Sequence, residues 1–258
     1  MLLVLDIGNT NITAGLFDKD NLIKTFRMIT NLESEIDYYR QEFEKNLKEY
    51  KIDACTIGSV VNNLGEKLKV FCDEIFGIKT FLFSPENLTG VKLDVPDPSS
   101  VGADRIANAY ASYKLYPQPS IVIDSGSATT FDIVSSDGRF FGGIIMPGIN
   151  MQLNSLCEKT SKLPKIELEE IDSVIGYDTK TCILSGVVRG QVCAIEGLIK
   201  ECEKEIGEKV SIIATGGLSS LILKYLNRKI DFTNENLTLE GFKFLYELNC
   251  KAKNKISI

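Results

Sequence analysis

The chain has 258 residues, enough for one large domain or two small ones with a substantial buried core. Its net charge of −6, without a run of lysine and arginine, argues against nucleic-acid binding, and no apolar run approaches the roughly 20 residues that span a bilayer. Histidine is absent, which excludes Ser-His-Asp and Cys-His catalysis and histidine metal sites. We therefore expect a cytoplasmic globular protein with neither a membrane nor a nucleic-acid partner.

The seven cysteines form no CxxC pair. Cys55, Cys182 and Cys193 stand among apolar neighbours. We interpret these three as buried thiols in a reducing compartment rather than as parts of a disulfide framework or a zinc site.

The first part of the chain predicts a mixed sheet with helices packed on it. Strands are expected at Leu2–Ile7, Asn11–Phe17 and Leu22–Ile29, with a hairpin turn at Asp18–Asn21 between the last two. Ile36, Tyr39, Phe43 and Leu47 stand at helical spacing and predict a helix in "ESEIDYYRQEFEKNLKEY". The segments "IDACTIGSVV" and "KTFLFS" predict two further strands, separated by a helix in "NNLGEKLKVFCDEIFG".

The pattern then begins again at "SIVIDSGSATTFDIVSSDGRFFGGII", where Asp124 and Gly126 repeat the spacing of Asp6 and Gly8. A duplication of this size indicates two similar domains rather than a solenoid, and we place them at residues 1–114 and 115–258. The second copy continues with helices near residues 150–159 and 179–206. The strand "VSIIA", the turn "TGG", a helix in "LSSLILKYL" and an amphipathic helix in "LTLEGFKFLYELN" complete it.

The two Asp-x-Gly turns are candidate binding sites for phosphate groups. Each ends an apolar strand and is followed by small side chains with hydroxyl or amide groups. Glycine permits positive φ and close backbone approach to a ligand, so such turns can cradle phosphate oxygens. A carboxylate beside phosphates requires a cation, and Mg²⁺ is held by one or two carboxylates together with phosphates and water. For one turn alone, an aspartate that only caps the turn is the simpler interpretation; the matched pair favours nucleotide binding.

Other polar or small-residue segments have a structural interpretation as well. Asp104 begins a helix in "GADRIANAYASY", where the helix dipole accounts for an acidic residue. The functional alternative is a general base for a hydroxyl group, with Arg105 holding an anion.

Two small-residue turns follow strands, in "TIGSVV" and "IATGGLSS". An ordinary turn and a surface that supports an adenosine explain each of them equally well.

Six motifs are distributed along nearly the whole chain: "DIGNTN", "GADRIANA", "IDSGSATTFD", "GGIIMPGI", "ATGGL" and "NLTLEG". No GxxxxGK[ST] or GxGxxG occurs, so neither a P-loop enzyme nor a Rossmann dehydrogenase is indicated. In residues and in order, the six motifs resemble those of the type III pantothenate kinases.

The resemblance implies an α/β fold of duplicated actin-like, sugar-kinase-like (ribonuclease H-like) domains, with mixed sheets flanked by helices. It implies a homodimer that phosphorylates pantothenate with ATP to 4′-phosphopantothenate, the first step of coenzyme A synthesis. The expected cofactors are ATP, Mg²⁺ and a monovalent cation, K⁺ or NH₄⁺.

The resemblance also assigns roles to residues. Asp104 matches the catalytic base, Asp124 the carboxylate that binds the monovalent cation, and Thr179 a threonine that contacts pantothenate from the other subunit. Three positions depart from the family: Ser127 replaces a threonine that contacts ATP, Asp178 replaces an asparagine, and Val95 replaces a tyrosine near pantothenate. The pantothenate loop matches Gly102, Ala103, Asp104 and Arg105, and the first phosphate loop matches Asp6, Ile7, Gly8, Asn9, Thr10, Asn11, Ile12 and Thr13.

Two other functions remain open from the sequence. A kinase of the same superfamily acting on another small hydroxyl compound would show the same phosphate turns. A non-enzymatic regulatory accessory protein on this fold is the second alternative, although the three aspartates of the motifs are all retained.

Overall fold

The computed structural model describes residues 1–31, 36–84, 91–160 and 163–256, with side chains described as far as residue 249. The contacts divide the chain into two compact units. One unit consists of Met1–Leu115 together with Asn236–Ile258, and the other of Tyr116–Glu235.

The first unit contains a five-stranded mixed sheet in the order β3-β2-β1-β4-β5. The first three strands are antiparallel neighbours, and β4 and β5 continue the sheet in parallel with β1. The strands are β1 (Leu2–Ile7), β2 (Asn11–Asp18), β3 (Asn21–Ile29), β4 (Ala54–Ser59) and β5 (Phe81–Leu82).

Helices cover both faces of this sheet. On one face, alternate residues of β1 such as Leu3 and Leu5 share a core with α1 (Ile36–Leu47) and α2 (Leu64–Phe76). The opposite face carries α7 (Leu237–Ile256), which also packs on α3 (Ala103–Leu115). Period-two alternation therefore places Asp6, with Val4, on the α7 side of the sheet.

The second unit has the same topology. Its sheet order is β10-β9-β6-β7-β8, with β6, β7 and β8 antiparallel neighbours and β9 and β10 parallel to β6. The predicted duplication is therefore present in the strand connections. The elements are β6 (Ser120–Ser125), β7 (Ala128–Val134), β8 (Phe140–Pro147), α4 (Ile149–Glu158), α5 (Thr179–Ile206), β9 (Ser211–Thr215), α6 (Ser219–Leu223) and β10 (Phe232–Thr233).

Most predicted elements are confirmed, including β1, the hairpin between β2 and β3, and both ends of α5. The short elements differ from the prediction. β5 contains two residues of the predicted "KTFLFS", α6 has five residues, and β10 was not predicted. A two-residue strand exists only through its pairing with a neighbour, so its own sequence carries little signal of it.

The last helix differs from the predicted division of the chain. We assigned residues 115–258 to the second domain, whereas contacts group the segment from Asn236 onward with the first unit. The physical reason is burial, since the apolar face of α7 packs on α3 and on β1. The buried residues of that face include Leu237, Leu239, Phe242 and Leu245.

Two cysteines on α5 differ from the prediction that they are buried. Cys55 is buried as expected, but Cys182 and Cys193 are exposed.

Among the described helices, α5 is the one whose length and composition would allow it to cross a membrane. A core helix meets the same criterion, and the apolar residues of α5, including Leu184, Val188 and Ile195, are buried in the core of the second unit.

Candidate active site

The loop between β1 and β2 follows Asp6 at the carboxyl end of β1. The carbonyl oxygens of this loop accept hydrogen bonds from Gly8 and from Thr30. Gly8 N–H donates to Asn11 O at 3.0 Å, Thr30 Oγ1 donates to Gly8 O at 2.6 Å, and Thr30 N–H donates to Thr10 O at 3.0 Å. These bonds hold the loop in one conformation against Thr30, the residue that follows β3.

Asp104 lies in the first turn of α3 and is partly buried. Its Oδ1 accepts a hydrogen bond from the backbone N–H of Arg105 at 2.8 Å. Burial raises the pKa of the Asp104 carboxyl above its ordinary value, and the Arg105 N–H and guanidinium only partly oppose this effect. The carboxylate is thus a stronger base than an exposed aspartate.

Val60 connects the α3 entry to the sheet edge where Asp6 lies. Its N–H donates to Ile7 O at 3.1 Å, which joins the ends of β4 and β1. On the other side, a Cβ added at Gly102 would lie 3.5 Å from Val60 Cγ1 and 2.5 Å from Asp104 Oδ1. The Asp6 loop and the Asp104 turn therefore meet at one edge of the first sheet.

In the second unit, the loop between β6 and β7 repeats this design in a shorter form. Gly126 N–H donates to Ala128 O at 3.0 Å, and the turn after β9 approaches the loop through Leu218 N–H, which donates to Ser125 O at 3.0 Å. The turn before α4 also packs against this loop, because a Cβ added at Gly148 would collide with the backbone of Gly126 and Ser127. Three turns thus surround the carboxyl end of β6.

Gly216 packs closely against the Asp124 carboxylate. Its φ is 90°, and a Cβ there would collide with Asp124 Oδ1 and with Ser125 N, so the turn after β9 requires glycine at this position. The Asp124 carboxylate oxygens are the kind of ligand that a hard cation prefers. Among the described residues no group of three or more His, Cys, Asp or Glu could hold a metal ion, so further ligands would come from phosphates or water.

The glycines of the two Asp-x-Gly turns act differently from the prediction. Positive φ occurs at Gly216 but not at Gly8 or Gly126. At Gly8 the requirement is space, since a Cβ would lie 3.1 Å from Asn11 O. Close approach of the backbone, rather than a left-handed conformation, accounts for glycine there.

Comparison with known proteins identifies the family. The family model of the type III pantothenate kinases matches residues 2–201. A type III pantothenate kinase from Syntrophus aciditrophicus is 36% identical over 254 residues, which cover 96% of this chain and 100% of that protein. Another from Anaeromyxobacter sp. strain K is 37% identical over 254 residues, with the same coverage of both chains. The chain belongs to the type III pantothenate kinase family.

Solved structures show the fold of this kinase. A candidate Baf family transcriptional activator from Campylobacter jejuni aligns with a TM-score of 0.61 at 23% identity, covering 96% of this chain and 99% of that one. A candidate 2-dehydro-3-deoxygalactonokinase from Sinorhizobium meliloti aligns with a TM-score of 0.60 at 9% identity, covering 96% of both. The fold is the predicted duplicated actin-like and sugar-kinase-like one, with two mixed sheets flanked by helices.

The site residues predicted for this kinase fall into separate groups. In the first unit, the segment 6–13 and the turn 102–105 lie at the same sheet edge. In the second unit, Asp124 and the exposed Ser127 share the β6–β7 turn. Thr179 is the exposed first residue of α5, preceded by Asp178, whose side chain accepts from Thr181 N–H at 2.7 Å in a capping box. Aspartate in place of the family's asparagine therefore retains a helix cap.

Sequence reasoning missed two residues of the candidate site. Thr30 fixes the first loop from the end of β3, and nothing in the sequence near Thr30 indicates this contact. Val60 lies in "TIGSVV", which was singled out as a small-residue turn but not connected to Asp104. The turn also has a structural explanation, because Ser59 Oγ accepts from Val61 N–H at 3.1 Å.

Proposed function

We propose that this kinase phosphorylates the primary hydroxyl of pantothenate with ATP, giving 4′-phosphopantothenate at the start of coenzyme A synthesis. The observation that carries the proposal is the meeting of the Asp104 turn with the Asp6 loop at one sheet edge. A base and a phosphate loop in one place are what phosphoryl transfer to an alcohol needs. Family membership supports pantothenate as the acceptor.

Asp104 is the proposed general base. As the pantothenate hydroxyl oxygen attacks the γ-phosphorus, the hydroxyl proton passes to the carboxylate and ADP leaves. Desolvation favours this role because it raises the carboxyl pKa toward the working pH. Arg105, adjacent to Asp104, is proposed to bind the carboxylate of pantothenate, which fits the planar donors of a guanidinium group.

The phosphate groups of ATP are proposed to bind the turns at the strand ends. Backbone N–H groups and hydroxyls of residues 6–13, together with Ser127, would serve as donors in place of a P-loop lysine. Asp6 is the proposed ligand of the Mg²⁺ that accompanies ATP. When bound, this ion would neutralise the developing charge on the transferred group.

A monovalent cation, K⁺ or NH₄⁺, is proposed to bind at Asp124. The support is the Asp124 carboxylate itself, an oxygen ligand at the end of β6 in the position that Asp6 has at the end of β1. Its role would be electrostatic, holding phosphate oxygens next to a carboxylate that would otherwise repel them.

A homodimer is proposed, with Thr179 of each chain completing the pantothenate site of its partner. The apolar residues of α5 do not supply this interface, because most of them are buried in the chain's own core. The support comes instead from the segment before α5. Val174, Ile175 and Tyr177 are 63%, 82% and 86% exposed, and large exposed apolar groups of this kind mark association surfaces.

The decisive experiment is an ATP-dependent assay with purified protein. We expect phosphate transfer to pantothenate that requires Mg²⁺ and is stimulated by K⁺. Transfer to other hydroxyl compounds but not to pantothenate would favour the alternative kinase. No transfer to any acceptor by a protein that remains folded would favour a regulatory accessory protein. The Campylobacter jejuni protein of similar fold is named as a transcriptional activator.

Full activity in sodium buffer free of K⁺ and NH₄⁺ would reject the monovalent-cation site at Asp124. A cytoplasmic location remains a prediction.

A further inference from the structure

Helix α7 approaches α3 at a glycine, so closely that the two backbones touch. A Cβ added at Gly241 would lie 2.9 Å from Ala107 Cα and nearer still to the carbonyl group of that residue. Any side chain at position 241 would therefore push the two helices apart. Ala107 stands one helical turn after Asp104, so the contact sets the depth of α3 close to the proposed base.

A hydrogen bond joins the same two helices beside this contact. Thr238 Oγ1 donates to Asn108 Oδ1 at 2.8 Å, and Asn108 is 1% exposed. Residues four apart share a helix face, so Asn108 lies on the side of α3 that carries Asp104. This bond therefore resists rotation of α3 about its axis, the motion that would re-aim the carboxylate.

A third contact joins α7 to β4, the strand that leads toward the Asp104 turn. Phe242 is fully buried and packs directly on Gly58 of β4, where a Cβ would overlap its ring. Gly58 is also the ladder neighbour of Asp6, and β4 leads to Val60 beside the Asp104 turn. One helix thus contacts both elements that surround the proposed base.

We propose that Thr238 and Asn108 are positioning residues for Asp104, and that their hydrogen bond, with the close contact at Gly241, fixes the orientation of the base. The proposal rests on the proposed function of Asp104. It gives a role to the segment "NLTLEG", which the sequence matches to the family without a function. Thr238 acts through α3 and is not assigned a substrate contact. Small displacements matter because a misplacement of about 1 Å can cost roughly 10²-fold in rate.

The first test is Thr238→Val, which keeps the shape and removes the hydroxyl. We expect kcat for pantothenate to fall by about 10-fold while KM for ATP stays within about two-fold, and Thr238→Ser to restore kcat. The matched control is Asp20→Ala, which removes an ion pair of 2.8 Å to Lys243 on the same helix, away from α3. If Thr238→Val lowers the melting temperature as the control does but keeps kcat within two-fold, the proposal is overturned.

The second test combines Thr238→Val with Asp104→Asn. If Thr238 acts through Asp104, its substitution changes kcat little once the carboxylate is gone. Multiplicative losses would show that Thr238 acts elsewhere and would overturn the positioning role alone. Failure of the proposed base is distinct, since Asp104→Asn by itself would then retain wild-type turnover.

Discussion

At the scale of the residue, Asp104 combines two opposed effects. Its position in the first turn of α3 and the N–H of Arg105 favour the ionised carboxylate, while burial disfavours it, and burial has the larger effect. The pKa therefore lies above that of an exposed aspartate. The protein holds a desolvated charge at this position, which costs stability and increases basicity.

Replacement of Asp104 by asparagine should separate these two effects. We expect kcat to fall by about 10²-fold or more, the usual contribution of a positioned acid–base group, while ATP still binds. The melting temperature at neutral pH should stay equal or rise, because a carboxyl whose pKa is raised by folding contributes stability only below that pKa. Steady-state kinetics and calorimetry measure both, and near-wild-type turnover would leave Asp104 as a helix-terminus residue.

The pH dependence gives a second prediction for the same residue. A base must be unprotonated, so kcat/KM for pantothenate should fall on the acid side as Asp104 takes up a proton. Because burial raises the pKa of Asp104, the midpoint of this fall should lie above 3.8, the value of an unperturbed aspartate. A pH–rate profile tests this, and an acid limb that is unchanged in Asp104→Glu would assign the titration to another group.

At the scale of the element, the first unit depends on tight contacts between α7 and the sheet. Gly58 leaves β4 without a side chain at the point where the Phe242 ring packs. In the sequence, the position of this glycine in "TIGSVV" allows a functional explanation. The structure shows a packing explanation instead, and it connects the last helix with the strand beside Asp6.

Gly58→Ala tests this packing. The added methyl group would overlap the Phe242 ring, and we expect a loss of about 1–3 kcal/mol in the free energy of unfolding, typical of overpacking. Phe242→Leu in the same chain should relieve part of this loss, so the double variant should be more stable than additivity predicts. Chemical denaturation measures the two single variants and the double variant, and strict additivity would contradict the contact.

At the scale of the whole molecule, the proposed dimer makes each site depend on two chains. Exposed apolar side chains before α5 lie next to Thr179, and the exposed face of α5 is lined by small residues. In a two-fold dimer each surface meets its own copy, so Thr179 would occur at two symmetric sites. These small exposed residues are Cys182, Gly186, Gly190, Cys193 and Gly197.

Subunit mixing tests the shared site. Asp104→Asn and Thr179→Arg homodimers should each be nearly inactive, because each lacks one half of every site. Mixed dimers should regain one intact site, about half the sites of the wild type. Exchange followed by activity assays and sedimentation measures this, and either a monomer at working concentration or no recovery in verified heterodimers would contradict it.

The sequence by itself determined the features that depend on neighbouring residues. Hairpin chemistry, strand alternation and the repeated Asp-x-Gly turns fixed β1 to β3 and β6, and the ordered motifs fixed the family and the duplicated fold. Only the tertiary structure decided which surfaces meet. It placed α7 with the first unit, exposed Cys182 and Cys193, and brought Val60 beside Asp104. These features depend on contacts between residues far apart in the chain, which local periodicity does not encode.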